Sequence, residues 1–344
     1  TYTAVNAIVE ERDRELTAEY RQLLPEFQNM KELSALLRKR RRSRGAVDFD
    51  FPESKIILNE QGVPTEIRPY ERNTATRIIE DFMLLANETV AEDYYWQSLP
   101  FLYRSHDKPD PDKMKQLAAF INNFGYSVRM SQGEIHPKEV QKLLDRISGT
   151  EEEALLARLT LRSMKQAKYT TECSGHFGLA TRFYTHFTSP IRRYPDLQIH
   201  RIIKENLKGG LKERRRAHYA QILPEVAVQT SALERRADEA ERETEKLKKC
   251  QYMEAFVGSS FEGVISGVTS WGFFVELPNT VEGLVRLADL PGDYYVFDEA
   301  RYQLVGERTG KTFKLGQKLK VTVTGADRIT RAVEFSPLYE HSRT

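Results

Sequence analysis

Cysteine is nearly absent from this 344-residue chain. Only Cys173 and Cys250 occur, far apart and outside any Cys-x-x-Cys pair, so neither a disulfide framework nor a thiolate zinc site is expected. Long apolar runs are missing too. None approaches the roughly 20 residues that span a bilayer, and no signal peptide precedes the first helical pattern, so a cytoplasmic protein with no membrane partner is expected. Net charge is equally scarce: Lys and Arg number 52 against 50 Asp and Glu, a balance that argues neither for nor against a polyanionic partner. Residues 101–112 hold one histidine and several aspartates, but prolines break their spacing, and no metal site is expected there. The chain opens on Thr1 rather than Met, and Thr-Tyr-Thr-Ala-Val reads like the inside of a folded domain. The expectation is a C-terminal fragment of a longer protein.

What is present is local. Residues 31–44 set seven positive side chains against one carboxylate, a potential suited to phosphate backbones or simply a solvated helix end whose cations favour the C-terminal dipole. Apolar residues at helical spacing (Val5, Ile8; Leu23, Leu24, Phe27; Leu33, Leu36, Leu37) predict two or three helices ended by Gly45. Val47, Phe49 and Phe51 then alternate with acidic residues. Ile56-Ile57-Leu58 before Asn59-Glu60-Gln61-Gly62 reads as a strand entering a hairpin turn. Residues 77–92 carry a wide apolar face, and Glu80 within it is either exposed or a buried acceptor for a ligand hydroxyl. Further helices are expected over 114–124, 137–147, 151–169, 196–207 and, after Gly209-Gly210, 231–256.

From residue 257 the pattern changes. Five short alternating runs (257–268, 271–277, 281–285, 318–324 and 332–336) predict a five-stranded OB-fold barrel, interrupted by an insertion around 291–313. The spacing resembles that of the S1 RNA-binding domain, a resemblance which implies that Trp271 and Phe274 stack on bases, each worth on the order of 1–3 kcal/mol, and that Arg286 and Arg331 touch phosphates. Phe273 reads as core. The fold class is therefore α+β, mainly helical with a short antiparallel sheet over residues 1–255, then the barrel over 256–344.

The stretch 176–200 organises the rest. A strand-like aromatic run, 183–187, leads into Thr188-Ser189-Pro190-Ile191-Arg192-Arg193-Tyr194-Pro195-Asp196-Leu197. Pro190 fixes a turn, Arg192 and Arg193 offer planar forks for phosphate oxygens, and Asp196 caps or enters an apolar helix. Without more, this is either an anion site or a surface turn with two solvated arginines. The wording resembles the signature of the ribonuclease II family of 3′-to-5′ exoribonucleases, in particular its ribonuclease R branch. The similarity extends to Leu161-Arg162-Ser163-Met164-Lys165-Gln166-Ala167 and Ile78-Ile79-Glu80-Asp81-Phe82-Met83. By the same resemblance residues 1–255 are the C-terminal part of an RNB catalytic domain, and 256–344 an S1-type RNA-binding domain.

The resemblance implies processive hydrolysis of single-stranded RNA to nucleoside 5′-monophosphates. It implies that Arg192 grips a phosphate with support from Arg193 and Tyr194. Glu241, in Ala240-Glu241-Arg242, positions the last nucleotide or the water, although this charge run also reads as a wet helix face. Glu80 and Tyr2 read the ribose 2′-OH. The family's Mg²⁺ ligands form an aspartate cluster, and Asp48, Asp50, Asp107, Asp110 and Asp112 make no such group. Metal ligands are therefore expected upstream, in an N-terminal portion that would be this chain's partner. A non-catalytic RNA-binding protein on the same scaffold is the alternative.

Overall fold

Helices here start and stop where short polar side chains and glycine dictate. The computed structural model describes residues 1–47, 53–70, 72–131, 133–150, 152–299 and 301–338. Helix α1 (Tyr2–Asn6) passes through a π-turn (Ala7–Glu11) to α2 (Arg14–Glu19), capped by Asp13 accepting from the Leu16 amide at 3.0 Å. Helix α3 (Leu24–Arg44) ends at Gly45, which turns left-handed at φ +102°. A Cβ there would meet the Lys138 backbone at 2.8 Å, so the position admits only glycine.

Strands β1 (Ser54–Leu58) and β2 (Pro64–Pro69) form the expected hairpin, its turn held by Asn59 Oδ1 accepting from the Gln61 and Val63 amides. Phe49, Phe51, Asp48 and Asp50 lie outside the described residues. Helix α4 (Thr74–Trp96) starts at a reciprocal Asn73–Thr76 capping box. There follow β3 (Tyr103–Ser105), α5 (Pro111–Asn122), β4 (Met130–Ser131), β5 (Glu134–Ile135), α6 (Pro137–Ile147), α7 (Glu153–Ser163), β6 (Lys168–Thr170), α8 (Tyr194–Leu207) and α9 (Glu213–Met253).

Three expectations change. The helix expected over 151–169 stops at Ser163, because Met164 turns extended (ψ 157°), and residues 168–170 become a strand antiparallel to β3. The aromatic run 183–187 is not a strand. Single bonds replace a ladder: the Arg104 amide donates to Tyr184 O, Thr185 Oγ1 to Leu102 O, and the Phe187 amide to Asn87 Oδ1. The last helix begins at Glu213, not 231, and its 41 residues give it a length of about 60 Å.

That length links two cores. Tyr219, Leu223 and Ala227 on α9 pack with Tyr94, Phe101, Leu102, Tyr169, Ile199 and Ile202. Near its other end Cys250 and Met253 are fully buried against Ile265, Phe273, Val275 and Val285 of the barrel. The barrel closes in the order β13-β14-β9-β8-β7, from β7 (Ser260–Thr269), β8 (Gly272–Glu276), β9 (Glu282–Arg286), β13 (Lys318–Asp327) and β14 (Ala332–Pro337). The insertion forms its own three-stranded sheet of β10 (Tyr295–Asp298), β11 (Gln303–Gly306) and β12 (Thr312–Lys314). Among the described residues no helix is long and apolar enough to cross a membrane.

The basic run on α3 is largely engaged in holding the fold. Arg38 and Arg41 meet Asp81 at 2.9 and 2.7 Å, Ser34 donates to the same carboxylate at 2.5 Å, and Asp81 is 1% exposed. Arg42 pairs with Asp145 and Arg44 with Glu88, leaving Lys39 and Arg40 exposed. Asp81→Ala strands two guanidinium groups against a buried site and is expected to cost about 3–5 kcal/mol of stability, measured by urea unfolding. A loss below about 1 kcal/mol would show that α3 and α4 are held together by other contacts.

Candidate functional site

The loop after the aromatic run is built on one carboxylate. Asp196, in the first turn of α8, is 0% exposed. Its Oδ1 accepts from the Ser189 amide at 2.8 Å and from Arg193 Nη2 at 2.7 Å. The Arg193 amide donates back to Ser189 O at 3.1 Å, closing the 189–193 turn. Asp196 Oδ2 and Arg193 Nε are buried with no hydrogen-bond partner among the described residues. Arg193 is therefore bound inward as a structural cation. Arg192, its neighbour, is exposed and makes no hydrogen bond or ion pair with any described residue. Tyr194 is also exposed, its hydroxyl donating to Gln198 Oε1 at 3.4 Å. The adjacent arginines thus differ in place: Arg193 is tied into the turn and Arg192 is open to solvent.

Beneath the loop runs a chain of rings. His106, His176, Tyr184, His186 and Tyr169 follow one another with centroids 5.0–5.7 Å apart, and Tyr169 Oη shares a 2.7 Å hydrogen bond with His186 Nδ1. Arg104 lies 4.7 Å from the Tyr169 ring centroid and pairs with Glu234 of α9 at 2.6 Å. Desolvation, aided by Arg193 and Arg104, pushes His186 down to about 2. Desolvation with His106 and Arg104 nearby pushes His176 down to about 3. Both imidazoles stay neutral at physiological pH, so the positive charge at the surface is that of the arginines.

Helix α4 aligns a second group with the loop. Asn87 is held by Phe187 and donates to Tyr184 Oη at 3.2 Å. Glu80 lies two turns before Asn87 on the same helix face. It is neither fully buried nor free: Arg72 Nη2 donates to its Oε2 at 2.5 Å, and its side chain is 39% exposed. The buried acid of this segment is its neighbour Asp81. Tyr2 is half-exposed on α1, which packs against α4.

Glu241 stands elsewhere. It lies about 10 Å beyond Glu234 along α9, in a groove lined by Ser54, Asp238, Lys249, Glu276 and Glu282. The acid of α9 that meets Arg104 at 2.6 Å is Glu234, a residue the sequence analysis did not single out. Asn87 could have been found as a polar residue spaced seven after Glu80 in an apolar helix, and Arg104 from its place in Arg104-x-His106.

On the barrel, Phe273 is fully buried and stacks on Phe313 at 4.7 Å, while Phe274 turns outward beneath the exposed Trp271, edge to face at 5.4 Å. Arg286 pairs with Glu334 and Arg331 with Glu243 of α9. Exposed pairs of this kind are worth about 0–1 kcal/mol, so a phosphate can compete for either arginine. No group of three or more His, Cys, Asp or Glu able to hold a metal ion exists among the described residues. The aspartates near β3 are engaged otherwise: Asp107 with Lys168, Asp110 at the start of α5, and Asp112 with Lys115.

Residues 1–209 match the RNB domain model, and residues 254–336 match the S1 RNA binding domain. The chain belongs to the RNB-domain family. RNB relatives include ribonuclease R 1 of Lactococcus lactis, 45% identical over 98% of this chain and 41% of the relative, and ribonuclease R of Thermotoga maritima, 41% identical over 97% and 47%. The chain thus spans less than half the length of these relatives. Among solved RNB structures, Mycoplasma genitalium RNase R in complex with ribose methylated single-stranded RNA superposes with a TM-score of 0.86 at 25% identity, covering 98% of this chain and 53% of that one.

The neutral histidines carry a stability consequence. In the unfolded chain they titrate near 6.5 and take up protons as pH falls, whereas in the folded chain they do not. Their contribution is complete above about pH 6.5 and is lost as pH falls toward the folded values, by about 2 kcal/mol per histidine between pH 7 and 5. Urea midpoints should fall accordingly over that range. Midpoints that do not change from pH 7 to 5 would contradict the enclosed, neutral assignment.

Proposed function

We propose that residues 1–344 form the RNA-gripping part of a 3′-to-5′ exoribonuclease that hydrolyses single-stranded RNA processively to nucleoside 5′-monophosphates. The observation that carries this reading is Arg192: an exposed guanidinium without a partner among the described residues, on a turn locked by buried Asp196, in a chain of the RNB family. Its planar fork suits two phosphate oxygens at once. Carried on a fixed turn, it offsets charge that develops on the scissile phosphate.

The other groups take supporting roles. Arg193 and Tyr194 hold the turn and its flank. Glu80, with Tyr2 on the neighbouring helix, accepts from the ribose 2′-OH, the group that separates RNA from DNA. Trp271 and Phe274 stack on bases upstream of the 3′ end, and Arg286 and Arg331 exchange carboxylate for phosphate. Glu241 faces the groove between α9 and the barrel, where it would meet the nucleic acid only if the strand passes along that groove. Hydrolysis in this reading uses Mg²⁺, which supplies an activated water. No group among the described residues fits such an ion, and in this reading its ligands belong to an N-terminal portion of the enzyme.

Arg192→Ala in the complete enzyme is expected to lower turnover at least roughly tenfold with RNA binding largely retained, the signature of a contact made mainly in the transition state. Equal losses in binding and turnover would make Arg192 a simple anchor and sink the assignment.

A further inference from the structure

The far end of α4 carries an aromatic surface that the proposed function does not use. Tyr95 and Trp96 meet Phe183 with centroids 4.9 and 5.9 Å away, and lie 5.2 Å from each other. The Arg182 guanidinium stands 5.1–5.9 Å from all three ring centroids. It makes no hydrogen bond or ion pair with any described residue. Trp96 is 63% exposed. Beside it opens a groove of about 560 Å³ lined by Tyr95, Trp96, Leu99 and Phe101, with Tyr103 and the Cys173 thiol among its polar groups.

This surface is separate from the arginine loop's supports on the same helix. From residue 80 to residue 96, α4 rises about 24 Å, and the two positions face opposite sides of the helix. An exposed indole next to a guanidinium with no carboxylate partner among the described residues suits a ligand that is at once planar, aromatic and anionic. A nucleotide has all three properties: its base stacks on Trp96 and its phosphate meets Arg182. The groove's lining alternates rings with hydroxyl and thiol groups, Ser98 and Thr171 among them, so a base can both stack and hydrogen-bond there.

We propose that the Tyr95–Trp96–Phe183–Arg182 cluster is an accessory site for one nucleotide of single-stranded RNA, outside the arginine loop and the barrel. The inference rests on the RNA-binding reading above. The site adds affinity for RNA and is indifferent to base identity, because every base has a stacking face.

The test is photo-cross-linking of the full chain to single-stranded RNA carrying 4-thiouridine, followed by peptide mapping. A cross-link at Tyr95 or Trp96 is expected in addition to those at the barrel. Arg182→Ala is expected to reduce the α4 cross-link by roughly fivefold, while cross-linking at Trp271 is unchanged, which also reports that the variant is folded. Cross-links confined to the barrel and the arginine loop, or an α4 cross-link insensitive to Arg182→Ala, overturn this site and leave the RNA-binding reading standing. Absence of any RNA binding overturns both. A groove closed instead by a second copy of the chain, seen as a dimer in sedimentation that Trp96→Ala dissociates, also overturns it.

Discussion

The site depends on how Asp196 is buried. A carboxylate taken out of water is tolerated only when its neighbours compensate the lost hydration, and here one oxygen receives both the Ser189 amide and the Arg193 guanidinium. The turn cannot open without exposing that charge pair or leaving it unmet. This constraint sends Arg193 inward, while Arg192 has no partner among the described residues. Two neighbouring arginines that look equivalent in the sequence are made unlike by a single acid three residues further on. The histidine and tyrosine rings under the loop extend the same logic. Their enclosure keeps them neutral, so they support the loop without adding charge that would compete with it.

Helix α9 transmits this arrangement to the barrel. Its first half is packed into the core that carries Tyr169 and α8, its Glu234 holds Arg104, and its last turns are buried in the barrel. Arg331 on the barrel pairs back to Glu243 on the helix. The exposed stretch between these anchors is therefore a solvated spacer, and it fixes how far Trp271 and Phe274 stand from Arg192.

Much of this was legible because local chemistry decided it. The β1–β2 hairpin follows from Asn59 to Gly62, the end of α3 from Gly45, and the barrel from alternation that puts Phe273 inside and Phe274 outside. The motif around Arg192 was readable from its prolines and charges. What was not legible rests on partners distant in sequence. Asp81 needs Ser34, Arg38 and Arg41 before it becomes a buried anchor, and the basic run on α3 looked like a phosphate surface only while those carboxylates were out of view. Glu234 reads as one charge among many until Arg104 meets it. The run 183–187 has strand composition, yet side-chain acceptors such as Asn87 take the bonds that a ladder would have made. No periodicity reports such bonds. Trp96 and Arg182 lie 86 residues apart in the sequence and come together only through the packing of α4 against the central segment.

The most direct test of the central claim, that this chain grips RNA and does not itself hold the hydrolytic metal, is an assay on a 3′-extended single-stranded RNA with Mg²⁺, using residues 1–344 alone. The account predicts that the chain binds the RNA and releases no mononucleotides until the N-terminal portion is added. Mononucleotide release by the chain alone would contradict it, placing a metal site within residues 1–344 and reopening the roles of their scattered aspartates.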